Sequence, residues 1–92
     1  MEVVWSEEVL QNYFCVLDYL FQNWSVREIE NFENKFDDLI IRIKTHKEIC
    51  PKSVLLNYRK CLIDKNNSLI YQEITDKIFL VAIVDNKSSH QY

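Results

Sequence analysis

The sequence predicts an α+β fold of order β-α-α-β-β-β, a helical hairpin packed on a mainly antiparallel sheet. Two segments of the first half carry apolar residues at helical spacing, and three short β-rich runs follow one another in the last third. Those runs cover residues 58–63, 69–75 and 78–84, joined only by Asp64-Lys65-Asn66-Asn67 and Asp76-Lys77. Loops this short join antiparallel neighbours, which puts 69–75 in the middle of a meander. The run 78–84 is apolar at every position, so both of its faces need cover. Simple alternation turns either Ile78, Leu80, Ala82 and Val84 or Phe79, Val81 and Ile83 away from the helices, toward the tail, a second copy or a partner.

Residues 1–5 read as a short strand. Ser6 then has the character of an N-cap, with Glu7 and Glu8 in the first turn and Trp5 and Leu10 at staple spacing. Leu10, Tyr13, Phe14, Leu17, Leu20, Phe21 and Trp24 continue the period, predicting a first helix over residues 7–22. Ser25 and Glu28 have capping-box spacing, and Trp24 and Ile29 form a second staple. The second helix carries Ile29, Phe32, Phe36, Leu39, Ile40 and Ile43 on one stripe and ends near Thr45 or His46. Glu30, Glu33, Asn34, Asp37 and Asp38 face away from that stripe. Residues 46–56, with the only proline, Pro51, read as a loop, and the tail from Asp85 has no period and is expected to be loosely held. Residues 1–92 are expected to form one domain.

An apolar content of 48% with 13% aromatic residues argues for a packed globule. No run approaches the ~20 apolar residues of a membrane span, and the acidic N-terminus lacks a basic leader region, so a cytoplasmic protein without membrane contact is expected. Cys15, Cys50 and Cys61, odd in number and far apart, read as reduced, mostly buried thiols. The chain has no glycine, which leaves left-handed turns to Asn, Asp or Lys and excludes the Gly-rich phosphate loops of P-loop and Rossmann folds. No cofactor and no metal are expected: His46 and Cys50 have i,i+4 spacing, but Pro51 adjoins them and no further ligands lie near. Residues 1–41 carry two basic against nine acidic side chains and residues 42–92 nine against five, so the sheet side is expected to be basic.

With these elements placed, the chain resembles the RelE/ParE superfamily of bacterial toxins, and most closely its ParE-like branch. The resemblance is carried, in order, by the Trp5-Ser6-Glu7-Glu8 opening, the Tyr19–Ser25 hinge, Arg59-Lys60, Asn67-Ser68-Leu69-Ile70-Tyr71 and Asp85-Asn86. It implies the β-α-α-β-β-β fold and the toxin half of a type II toxin–antitoxin pair of the plasmid-stabilisation kind. A cognate antitoxin is implied as the neutralising partner, in a hetero-oligomer or beside a homodimer. The ParE branch implies inhibition of DNA gyrase, and the RelE branch a ribosome-dependent mRNA endoribonuclease. Composition alone supports a third class, a non-toxic binding or adaptor domain with a basic face.

A metal-independent ribonuclease needs cations on the scissile phosphate, a proton acceptor for the 2′-hydroxyl and a donor for the leaving oxygen. The catalytic candidates are Arg59, Tyr71, Lys87, His90 and Tyr92; the binding candidates are Arg59, Lys60 and Lys87. Arg59 and Lys60 are adjacent on a strand and therefore point to opposite faces. The RelE pattern places an arginine on the central strand before its tyrosine, where this chain has none, and Lys87 replaces the later cation with a weaker bidentate phosphate ligand. The plainer readings are a solvated Arg59 and Lys60, a half-buried Tyr71 and a small core Cys61. Together these favour a toxin that binds its target, gyrase or the translation machinery, over one that cuts RNA. An acidic partner segment is then expected on the sheet, with the helical face solvated.

Overall fold

At Trp5 an edge strand ends, and one residue later a helix begins. In the computed structural model, which describes residues 2–53 and 57–87, β1 is Glu2–Trp5, α1 Glu7–Asn23 and α2 Val26–Thr45. The meander follows as β2 (Tyr58–Leu62), β3 (Asn67–Ile74) and β4 (Lys77–Asp85). The sheet order is β1-β4-β3-β2, with β1 parallel to β4 and the other pairs antiparallel. The expected α+β hairpin-on-sheet fold is therefore present. β4 is an inner strand, with β1 on one side and β3 on the other. Among the described residues, no helix is long and apolar enough to cross a membrane. Met1 and residues 54–56 and 88–92 lie outside the described residues.

The hairpin covers one face of the sheet. Val9 of α1 and Phe32, Phe36, Leu39 and Ile43 of α2 pack with Cys61, Leu69, Tyr71, Ile78, Leu80 and Ile83. Trp5 and Tyr13 close the corner, their rings 5.3 and 5.0 Å from that of Phe36. The alternation expected for β4 does not hold along its length. Ile70 pairs with Ala82 but Tyr71 pairs with Leu80, so Val81 is an extra residue and the strand changes parity there. Ile78 and Leu80 before the bulge, and Ile83 after it, all reach the core. Neither expected set is the outward one.

The bulge sits where β1 stops covering the edge of β4. β1 pairs only with residues from Lys77 to Leu80, and α1 supplies the next partners. The Ser6 amide donates to the Leu80 carbonyl at 3.1 Å and its hydroxyl to the Val81 carbonyl at 2.9 Å. Asn12 Oδ1 accepts the Ile83 amide at 3.0 Å. An edge that would otherwise bury bare backbone groups is thus satisfied by side chains of the neighbouring helix.

The β3–β4 turn corrects two expectations. Ile74 pairs with Lys77, so Thr75 belongs to the turn and not to the strand; φ is 45° at Thr75 and 62° at Asp76. A two-residue hairpin in which both central residues have φ > 0 matches the right-handed twist of its strands. The twist imposes left-handed backbone on β-branched Thr75, outside the Asn, Asp and Lys expected to serve. The Ser25 capping box is also corrected. Ser25 has extended N-cap backbone, but its hydroxyl makes no cap bond, and only its carbonyl accepts from Glu28 and Ile29.

The cysteine expectation holds only in part: Cys61 is a buried core residue and Cys15 a free thiol, but two of the three are not reduced and the free one is not buried. Cys50 and Cys61 form a disulfide with Cα atoms 5.4 Å apart, and the free Cys15 is exposed. The reason is tertiary: the segment after α2 folds back along β2, where Lys52 bridges to Arg59 and the Lys60 amide donates to the Pro51 carbonyl. That return brings two cysteines within bonding reach. Spacing along the chain does not reveal it.

Candidate functional site

Cross-strand pairing puts Arg59 of β2 directly beside Tyr71 of β3. Two of the candidate residues are therefore brought together, on the face that also holds Cys61, the face toward the helices. Both are engaged with the segment after α2. The Arg59 guanidinium donates to the Cys50 carbonyl at 2.6 Å, and the Tyr71 hydroxyl donates to the Lys47 carbonyl at 2.7 Å. Tyr71 is fully buried, not half-buried as expected. Burial is the main reason its phenol is pushed above the ordinary tyrosine range, and the Cys50 backbone, followed by the charge of Arg59, offsets this only in part. At neutral pH it is a protonated donor, already committed to a carbonyl. Lys47 itself pairs with Glu73 at 3.0 Å, which raises the pKa of its amine.

Lys60 is paired with Ile70, one step along β2 from Arg59 and on the opposite face. The alternation that separates these two binding candidates is observed. His90 and Tyr92 lie outside the described residues. Among the described residues, no group of three His, Cys, Asp or Glu side chains is placed to hold a metal ion.

Lys87 leads to a different place. It lines a groove of about 990 Å³ between the hairpin and the far end of the sheet. Val16, Leu20, Phe32 and Ile83 supply apolar surface, and Tyr19 and Trp24, both mostly exposed, stand on the helical rim. The charged lining is balanced: Lys35, Lys65 and Lys87 against Glu28, Asp64 and Asp85. Such a groove offers aromatic and apolar contact with polar ends, which suits a polypeptide better than a polyanion.

The sheet-side rim is built by the resemblance residues. Asp64 Oδ1 accepts the amides of Asn66 and Asn67, each at 2.8 Å, fixing the β2–β3 turn. Asn67 pairs with Asp85 across the ladder, and buried Ser68 donates to Asn86 Oδ1. Asn86 returns its amide hydrogens to the Lys65 carbonyl at 3.1 Å and the Asp64 carbonyl at 3.4 Å. Asn67-Ser68 and Asp85-Asn86 thus form one clamp that presents Lys65 and Lys87. Sequence reasoning passed over Lys65, a turn residue, and Asn12, a lone amide beside an apolar stripe. Lys65 gave no signal, whereas an asparagine inside an amphipathic helix marks a place to look for a backbone partner.

No family model matches the sequence, and no curated protein matches it. Solved structures do match in fold. The chromosomal ParDE toxin–antitoxin system of P. aeruginosa aligns with 92% of this chain and 95% of that chain, at TM-score 0.69 and 11% identity. The YoeB/ParE toxin of Agrobacterium tumefaciens aligns over 94% and 99%, at TM-score 0.68 and 14% identity. The heterotetrameric YoeB–YefM toxin–antitoxin complex of Staphylococcus aureus aligns over 89% and 92%, at TM-score 0.63 and 18% identity. This chain therefore has the fold of the YoeB- and ParE-type toxins, nearly end to end on both sides of the comparison.

Proposed function

We propose that this protein is the toxin of a type II toxin–antitoxin pair. In this reading it is a cytoplasmic growth inhibitor that binds DNA gyrase or the translation machinery and is neutralised by a cognate antitoxin. The observation that supports it most is the end-to-end fold likeness to structures named as ParDE and YoeB–YefM toxin–antitoxin assemblies. Binding is favoured over RNA cleavage by the placement of Arg59 and Tyr71. The two groups best suited to a scissile phosphate and a proton hold carbonyls of the segment after α2 instead. The groove at Lys87, charge-balanced and apolar-floored, fits protein contact.

Induced expression in bacteria, with and without the neighbouring reading frame, tests the class. Growth arrest rescued by the neighbour is the expected result, and normal growth of cells that accumulate the folded protein would overturn the toxin reading. A translating extract tests the mechanism separately. Messenger RNA should remain intact when the protein is added, and reproducible cleavage at defined positions would replace the binding mechanism with a ribonuclease one.

A further inference from the structure

Most of the exposed large apolar side chains among the described residues sit on the helical hairpin. α1 has two apolar stripes. One, through Val9 and Tyr13, packs into the core; the other, Leu10, Phe14 and Phe21, stays 43, 59 and 69% exposed. Spacings of four and seven residues put these three on one line of the helix. Glu30, Glu33 and Asp37 form a comparable line on α2, at spacings of three and four. Tyr13 ties the two lines together. Its ring meets Phe14 edge-on with centroids 6.0 Å apart and also contacts Phe36 of α2. The ring also lies 5.7 Å from that of Phe32, and Glu33 and Asp37 directly follow Phe32 and Phe36 on α2. Burial first, and then the charges of Glu33 and Asp37, push the Tyr13 phenol up.

The outer seam of the hairpin therefore has an apolar bank and an acidic bank. Each is unfavourable when left bare: the first exposes three large apolar side chains along one line of the helix, and the second sets like charges three and four residues apart. No basic side chain among the described residues forms a salt bridge with that acidic line. The two helices together carry eight acidic against four basic side chains. From Leu10 to Phe21 the seam runs about 17 Å, or about three helical turns.

We propose that this seam docks a cationic amphipathic helix of another protein, its apolar stripe on Leu10, Phe14 and Phe21 and its lysines or arginines along Glu30, Glu33 and Asp37. An amphipathic helix in a two-banked seam is a recurring recognition mode, and it relieves both penalties at once. The inference is independent of the toxin reading, and the seam lies on the opposite flank of α1 from the groove at Lys87.

The test uses the full chain and a fluorescent synthetic peptide of about 14 residues, leucines at helical spacing and lysines elsewhere, beside its leucine/glutamate counterpart. The lysine peptide should bind and the glutamate peptide should bind at least about ten-fold more weakly. Phe14→Ser with Phe21→Ser, and separately Glu33→Gln with Asp37→Asn, should each weaken binding about ten-fold. Glu48→Gln with Asp76→Asn removes the same charge away from the seam and should leave binding unchanged. Equal binding of the two peptides, or equal loss in the distant pair, would overturn the proposal. So would a dimer seen in sedimentation and abolished by the Phe14/Phe21 pair, because the occupant would then be a second copy. The exposed Phe14 and Phe21 keep that variant foldable, and the charge-neutral pair carries the test by itself.

Discussion

Ser6 and Ser25 occupy the same place in the same pattern: tryptophan, serine, then a helix with acid in its first turn. By sequence they are interchangeable, yet they do different work. The Ser6 hydroxyl accepts from the Val9 amide and donates to the Val81 carbonyl, each at 2.9 Å, while its backbone holds Leu80. The Ser25 hydroxyl makes no cap bond, and the residue is exposed in the turn between the helices. Both motifs mark where a helix starts. Only the one facing a strand with spare carbonyls also joins two layers of the fold.

The largest effect should come from Ser6→Ala. It removes the cap of α1 and leaves the Val81 carbonyl at the bulge without its donor, for a combined loss of about 2 kcal/mol in chemical denaturation. A loss under about 0.5 kcal/mol would mean that water replaces both bonds and that the α1–β4 seam is wetter than its geometry suggests. Asn12→Ala should cost less, about 1 kcal/mol, because Asn12 borders the groove and solvent can reach the freed Ile83 amide. Hydrogen exchange at Ile83 should accelerate in that variant while the amides of the β2–β3 ladder stay protected. Unchanged exchange at Ile83 would show that another acceptor holds the strand.

The comparison also explains what was legible beforehand. Element order, the meander and both helices follow from local period and turn chemistry, so residue patterns were enough. What escaped depended on two segments meeting: the Val81 bulge, the Asn12 acceptor and the Cys50–Cys61 bond. Each joins residues far apart in sequence or breaks a local rule for a partner's sake. The same limit applied at the site. Arg59 and Tyr71 were recognisable as chemistry-bearing side chains, but the carbonyls they serve belong to a loop whose return path no pattern announces. Alternation did separate Arg59 from Lys60, because that is a property of one strand.

The smallest expected effect is the sharpest test of the contrast. Ser25→Ala removes a hydroxyl with no cap bond from an exposed turn, so the loss should stay within about 0.5 kcal/mol, the range of ordinary surface changes. Ser25→Asp then separates a vacant cap from an unusable one. If the extended backbone at Ser25 is a sound N-cap that merely lacks a strong acceptor, a carboxylate there meets the amide end of α2 and should stabilise by about 0.5 kcal/mol, an effect that salt reduces. A gain from Asp with no loss from Ala would show that the site is competent and idle. A loss from Ser25→Ala matching that from Ser6→Ala would break the comparison, because serine at a helix start would then matter by type and not by what lies across from it.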